Sequence, residues 1–193
     1  MSITRSAFRK KTDNSHLEWK EELRRMATEG LDSIRVLDLF AGNNTLWRNF
    51  GCERYYGVEL SRGKGTRNVY ADNLRIIPSL TLSRFNVVDC DAYGSFVKQL
   101  EALFANPTLA PGTVIVFTEI HPLIGEMPTE LIPDSLKQMH SRAPPSLFNK
   151  YSRELFEGRL HRFGVESYTG YFVDGAYIKT YGFFTVPSKT AHV

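Results

Sequence analysis

Four groups of polar residues stand at the ends of apolar runs, where a ligand could meet them. The first is Asp38 with the turn Phe40-Ala41-Gly42-Asn43-Asn44-Thr45 behind it. A tight turn out of a buried strand exposes backbone N–H groups, and a helix starting there adds the positive end of its dipole, so a carboxylate or phosphate is favoured. Gly42 removes side-chain bulk where a ligand would lie against the backbone. The second is Glu59, closing Tyr56-Gly57-Val58-Glu59. It lies about twenty residues after the turn, where a carboxylate accepts hydrogen bonds from ribose hydroxyls. The third is Asn86-Val87-Val88-Asp89-Cys90-Asp91-Ala92-Tyr93. Here an acid could accept from an adenine amino group while a backbone N–H faces the ring, and Tyr93 could stack on it.

The fourth group carries proton chemistry. Glu119 and His121 alternate at the end of a β-favouring run and so share one face of a strand. Beside a pocket they would serve as general base and orienting partner, since histidine titrates near neutral pH. Plainer readings stand next to each of these. Residues 36–40 alone are a core strand, and Glu59 alone is a solvated strand end. Asp89 and Asp91 alone are turn formers that cap the next helix, and His121 packs before Pro122.

The elements that must position these groups follow from periodicity. Residues 1–12 form a basic arm, with Arg5, Arg9, Lys10 and Lys11. Ser15 and Glu18 make a capping box for a helix over 15–29 whose apolar stripe is Leu17, Trp19, Leu23 and Met26. Strands are expected at 34–40, 55–60, 85–88 and 113–120, the last being continuous Val-Ile-Val-Phe. A short helix follows the first strand over 44–50, and a mainly helical connection runs over 68–80. Residues 95–104 form a helix ended by Pro107, with Phe96, Leu100, Leu103 and Phe104 inward. Helices around 128–139 and after Pro144-Pro145 come next, the latter marked by Phe148, Tyr151, Leu155 and Phe163.

Asp174-Gly175 in the aromatic tail predicts a two-residue hairpin turn. That turn pairs Val173 with Ala176, Phe172 with Tyr177 and Tyr168 with Tyr181, and lays the last strand beside the fourth. The order predicts a doubly wound, mainly parallel α/β sheet closed by a C-terminal antiparallel hairpin. Ligands of such sheets bind at the C-terminal ends of the strands, where strand order reverses.

Composition narrows the class. Hydrophobic residues make up 42% and charged residues 23% of 193 residues, ordinary globular usage with room for one core. The two cysteines, Cys52 and Cys90, have no metal-ligand or disulfide-framework spacing, and no apolar run is long enough to span a bilayer, so the expected setting is cytoplasmic. A net charge of +3 permits a polyanionic partner without demanding one. RNA or DNA is the partner expected for the arm and for a second basic group, Arg62, Lys64, Arg67 and Arg75.

Val36-Leu37-Asp38-Leu39-Phe40-Ala41-Gly42 resembles the first motif of class I S-adenosylmethionine-dependent methyltransferases, especially those acting on ribosomal RNA and DNA. Tyr-Gly-Val-Glu at 56–59 resembles their second motif and Asp91-Ala92 their third, in the family's order, over residues 34–121. The resemblance implies a Rossmann-like domain over 13–193, with the cofactor half at 34–121 and substrate-side helices and hairpin at 122–187. It also implies S-adenosylmethionine as cofactor and S-adenosylhomocysteine as product. By the same resemblance Asp38 approaches the methionine amino group, and Ala41, Gly42 and Asn43 line the methionine part. Glu59 takes the ribose, and Asp91 with Ala92 takes the adenine.

This chain departs from the family at Asn43-Asn44, where another glycine is usual; asparagine is the residue next best suited to a left-handed backbone. The Asp/Asn-Pro-Pro-Tyr/Phe motif of amino-group methyltransferases, expected after the fourth strand, is not found at Thr118–Pro122 in Thr118-Glu119-Ile120-His121-Pro122, nor is a catalytic Pro-Cys. No G-x-G-x-x-G follows the first strand, which argues against a nicotinamide-binding reading. Two functions follow: an active methyltransferase, or a methyltransferase-like module that binds cofactor or nucleic acid without turnover.

Overall fold

In the computed structural model, residues 16–43, 46–62, 68–122, 132–140, 150–173 and 177–188 are described. They build one sheet from β1 (Arg35–Asp38), β2 (Arg54–Glu59), β3 (Asn68–Tyr70), β4 (Val87–Asp91), β5 (Val114–Pro122), β6 (Thr169–Val173) and β7 (Tyr177–Thr185). The strand order is β3-β2-β1-β4-β5-β7-β6. The first five strands run parallel, while β7 lies antiparallel to both β5 and β6. The helices are α1 (Leu17–Thr28), α2 (Asn73–Ile76), α3 (Val97–Ala105), α4 (Asp134–His140) and α5 (Ser152–Arg162). This is the doubly wound, mainly parallel sheet with an antiparallel C-terminal end that the sequence predicts, and its order reverses between β1 and β4. Among the described residues no helix is long and apolar enough to cross a membrane.

The register sorts the side chains onto two faces. Leu37, Val58, Val88, Cys90, Ile115 and Phe117 turn to one side and pack with Phe96 just before α3, Leu100 and Leu103 on α3, and Phe156 and Leu160 on α5. Val36, Val87, Val114 and Val116 turn to the other side and meet Ala27 and Trp47. Along this second face the strands change character toward their C-terminal ends. Val36 is followed two residues on by Asp38, and Val87 by Asp89 and Asp91. Asp38 lies directly opposite Asp89 across the β1–β4 pair.

Helix α1 covers that face with a different stripe from the one expected. Leu17 and Met26 are exposed, and the buried residues are Lys20, Leu23, Arg24 and Ala27. The two cations go inward because carboxylates wait opposite them, so pairing overrides hydropathy. The helix starts from His16 in a left-handed backbone with no side-chain cap; Ser15 of the expected capping box lies outside the described residues.

Three further expectations are corrected. The connection over 68–80 is not wholly helical, because it opens with the three-residue edge strand β3, paired with β2 from Gly57–Asn68 to Glu59–Tyr70. A strand this short leaves no periodic trace. The strands expected third and fourth are therefore β4 and β5. After β1, the described residues 46–50 form turns rather than a helix, so no helix dipole supports the loop there.

The hairpin register also differs. Val173 pairs with Lys179, Phe172 with Thr180 and Tyr171 with Tyr181, so Phe172 and Tyr177 are not cross-strand neighbours. β7 does lie beside β5, as expected, and its long pairing from Val114–Thr185 to Pro122–Tyr177 outweighs the local preference of a turn. Gly170 opposes Gly182, and a side chain on Gly170 would collide with the Tyr181 carbonyl, which also favours the observed register. The Asp174-Gly175 dipeptide, the basic arm and Phe148 lie outside the described residues.

Candidate functional site

At the ends of β1 and β2 the chain forms a loop tied at several points. The Ala41 N–H donates to the Val58 carbonyl at 3.0 Å. The Gly42 N–H donates to Glu59 Oε2 at 3.0 Å, and Asn68 Nδ2 on β3 donates to the Gly42 carbonyl at 2.9 Å. Gly42 sits at φ 49°, in the left-handed region that glycine enters without cost. The other Glu59 oxygen accepts from the Ser61 N–H at 2.8 Å. A carboxylate has about four acceptor positions, so each oxygen keeps one for a ligand hydroxyl. Leu60, next in the chain, is 70% exposed and offers a bare apolar surface beside that carboxylate.

Directly across the sheet from Glu59, β3 ends and Asp72 follows, accepting the Leu74 N–H at 3.0 Å to start α2. Asn73 then bridges the Leu39 carbonyl (2.9 Å) and Gln99 (3.0 Å). Asp72 and Asn73 thus stand at the end of the strand beside Glu59. Sequence reasoning missed both, along with Asn68, because it gave the segment no strand; Val69-Tyr70 followed by Ala71-Asp72 was the available signal.

The acids on the α1 face form a buried network. Asp38 Oδ1 accepts the Phe40 N–H at 3.1 Å, and Oδ2 accepts the Tyr55 hydroxyl at 2.8 Å. Asp89 Oδ2 accepts from Arg24 Nε (2.9 Å), Arg24 Nη2 (2.6 Å) and Trp47 Nε1 (2.6 Å), whereas Asp89 Oδ1 has no hydrogen-bond partner among the described residues. Asp91 accepts Lys20 Nζ on both oxygens, at 2.8 and 3.0 Å, and the Thr118 hydroxyl at 2.6 Å.

Burial, followed by the charge of Asp89, pushes the Asp38 carboxyl up to about 8. Burial likewise raises Asp89, with Arg24 opposing the shift. For Arg24 burial works against the charge, but Asp89 and Asp91 outweigh it and hold the guanidinium above its ordinary value. Tyr55 is raised by burial and by Asp38, which keeps its hydroxyl a donor.

Of the expected site residues, Asp38, Phe40, Ala41, Gly42, Asn43 and Glu59 come together at the ends of β1 and β2, and Asp91, Ala92 and Tyr93 at the end of β4. Asn44 and Thr45 are outside the described residues. Tyr93 is 65% exposed. Glu119 stands apart from the acids. Asp91 pairs with Thr118, so Glu119 points to the opposite face of the sheet; it is fully buried and accepts the Phe96 N–H at 2.9 Å. That bond anchors the loop between β4 and α3. His121 lies on β5 two residues further on, and its side chain is outside the described residues.

No family model matches the sequence, and no curated protein resembles it closely enough to be counted a relative. Solved structures share its architecture. HI0767 of Haemophilus influenzae, a presumed methylase, aligns over 88% of this chain and 88% of its own with a TM-score of 0.52 at 15% identity. The yhhF protein of Escherichia coli, a presumed methyltransferase, aligns over 88% and 85%, with a TM-score of 0.52 at 12% identity. TYW2 of P. horikoshii, solved in complex with MeSAdo, aligns over 88% and 62%, with a TM-score of 0.54 at 13% identity. At such identities the likeness concerns architecture, and on that ground this chain has the class I methyltransferase fold.

Proposed function

We propose that the protein is a cytoplasmic S-adenosylmethionine-dependent methyltransferase acting on nucleic acid. The observation that carries this reading is the coupling of Gly42 to Glu59: a strand-end loop whose N–H is held by a carboxylate that keeps acceptor positions open toward solvent. The residues fit the cofactor. Glu59 holds the ribose hydroxyls, Leu60 and the Asp72–Asn73 turn flank the base, and Asp38 with the loop 40–43 holds the methionine end. When bound, S-adenosylmethionine supplies an already activated methyl group, so the protein's work is alignment and, where needed, proton removal.

The acceptor belongs beside Asp91-Ala92-Tyr93. This is the end of the fourth strand, the place where amino-group methyltransferases carry Asp/Asn-Pro-Pro-Tyr/Phe; Asp91 and the exposed Tyr93 stand in for the acid and the aromatic, without the prolines. Asp91 accepts an amino N–H and orients its lone pair, and Tyr93 stacks on the base. The exposed Arg62 and Arg75 near the ends of β2 and β3 contribute phosphate contacts, and Arg5, Arg9, Lys10, Lys11, Lys64 and Arg67 would extend them.

One observation favours the second reading, a binding module without turnover. Lys20 occupies both oxygens of Asp91, so an acceptor amino group must share or displace that ion pair. Titration calorimetry with S-adenosylmethionine, followed by transfer of a radiolabelled methyl group to RNA, DNA and cell extract, separates the readings. Binding with transfer to nucleic acid supports the enzyme, and binding without transfer supports the module. The absence of cofactor binding removes the enzyme and leaves only a module that binds nucleic acid.

A further inference from the structure

The carboxylates under α1 are one positive charge short. Asp38 and Asp89 are 5% and 1% exposed, Asp91 stands at the end of the same row, and α1 brings Lys20 and Arg24 to the three of them. Arg24 binds Asp89 through two nitrogens, and Lys20 takes both oxygens of Asp91. Asp38 receives neither cation. Among the described residues its hydrogen-bond partners are the Phe40 N–H and the Tyr55 hydroxyl. The other titratable groups nearby do not make up the shortfall. Burial holds Tyr55, and Cys52 close to it, above their ordinary values and so neutral. Cys90 turns to the opposite face of the sheet and is pushed up too, and Glu59 at the end of β2 only adds negative charge.

An uncompensated charge in such a layer is costly, and the group keeps a proton instead. Burial and the charge of Asp89 accordingly push the Asp38 carboxyl up to about 8. The geometry has a place for that proton. Asp89 Oδ1 is buried without a hydrogen-bond partner among the described residues, and Asp89 lies directly opposite Asp38 across the β1–β4 pair, on the same face. A proton on Asp38 is the donor that oxygen lacks. Asp38 is also the one carboxylate of the three tied to the loop 40–43, through the Phe40 N–H.

On the cofactor reading proposed above, we infer that Asp38 exchanges its proton for the α-ammonium of S-adenosylmethionine, so that each cofactor bound sends one proton to solvent. The ammonium then supplies the third positive charge. In the exchange the Asp38 O–H ionises and its proton passes to the buffer. No bond to carbon or sulfur changes, and the ammonium keeps its three hydrogens and donates one to the carboxylate. An ammonium suits the place better than a sulfonium, because a buried carboxylate needs an N–H donor as well as a charge. The free protein holds a proton that the complex does not. Raising the pH therefore favours binding, until the free Asp38 itself ionises.

Calorimetry of the whole protein at about pH 6.5, in buffers of different ionisation enthalpy, counts the protons; a free α-amino group titrates higher, at roughly 7.7–8.0. Release approaching one proton is expected with S-adenosylmethionine, and equally with S-adenosylhomocysteine, which keeps the ammonium and lacks the sulfonium charge. None is expected with 5′-methylthioadenosine, which lacks the amino-acid end. From about pH 5.5 to 7 the affinity for the first two is expected to rise toward tenfold per pH unit. Asp38→Asn, which cannot ionise, is expected to abolish the release and flatten that rise. The ligand comparison uses the natural chain, so it decides even where the variant folds poorly. Binding of S-adenosylmethionine with a heat independent of the buffer would overturn the inference and leave the cofactor reading standing. So would equal release by 5′-methylthioadenosine, release by S-adenosylmethionine but not by S-adenosylhomocysteine, or full release retained in Asp38→Asn. Failure of all three ligands to bind would overturn the cofactor reading and the inference with it.

Discussion

The two faces of the sheet are both buried, and different forces hold them. Against α3 and α5 lies a continuous hydrocarbon core in which Phe96 stacks on Phe117 and both meet Phe156 at steeper angles, with ring centroids 5.0–5.8 Å apart. Against α1 the apolar cluster is small, and toward the strand ends it gives way to Asp38, Asp89 and Asp91 facing Lys20 and Arg24. A hydrocarbon face loses stability in proportion to what is removed from it. A buried ionic face responds differently: removing one partner strands the other in a medium that cannot solvate it. The ionic face is also where the candidate site begins, so its stability and its chemistry draw on the same carboxylates.

The sharpest way to break this contrast is Arg24→Ala. Arg24 and Asp89 are 2% and 1% exposed, and truncating one member of such a pair should cost about 3–5 kcal/mol in chemical denaturation. The double variant Arg24→Met with Asp89→Leu should recover much of that loss. If the single variant costs no more than an exposed ion pair, the network contributes nothing as a unit.

Glu59 tests the functional end of the same face. Glu59→Ala should weaken S-adenosylmethionine binding by about 1.5–3 kcal/mol, on the order of tenfold or more, when measured by calorimetry. Because Glu59 also accepts the Gly42 and Ser61 N–H groups, the melting temperature is read alongside. Unchanged affinity would remove Glu59 from the cofactor site.

Glu119 sharpens the comparison from the opposite face. Its bond to the Phe96 N–H makes it an anchor for the β4–α3 loop, so Glu119→Ala should lower stability by about 1–3 kcal/mol and leave cofactor affinity unchanged. Turnover that vanishes in Glu119→Gln without any loss of stability would support the general-base reading.

The last effect is a slope. Folded Asp38 holds its proton up to about pH 8, while the unfolded chain releases it in the ordinary carboxylate range. Between those limits the native state binds more protons, so stability present at low pH is lost as pH rises through the window. The loss attributable to Asp38 approaches about 1.4 kcal/mol per pH unit, and Asp38→Asn should flatten it in denaturation series from pH 5 to 8. An identical slope in the variant would assign it to other groups.

Much of the site was legible locally. Asp38-Leu39-Phe40-Ala41-Gly42 and Tyr56-Gly57-Val58-Glu59 each announce a strand that ends in a polar turn, and the structure brings those ends together. What misled was counting. A three-residue edge strand is held by its pairing with β2, so Asn68–Tyr70 carries no periodicity beyond the short Val69-Tyr70 step before Asp72, and missing it displaced every later strand by one. The positional argument from the fourth strand therefore fell on the strand that carries Glu119, whereas the fourth strand of the sheet is β4, which ends at Asp91.

The sequence by itself determined the alternation of strands and helices, the polar strand ends and the antiparallel close. These follow from side-chain periodicity and backbone preferences within a few residues. Only the tertiary structure decided which acids face α1, that Lys20 and Arg24 turn inward to meet them, and that β6 pairs with β7 through Gly170–Gly182 instead of from a two-residue turn. Those outcomes depend on partners 65 or more residues away in the chain for the ion pairs, and on the pull of the β5–β7 ladder for the register. A charged side chain reads as solvent-facing until a buried countercharge, which no local window contains, makes the interior the better place for it.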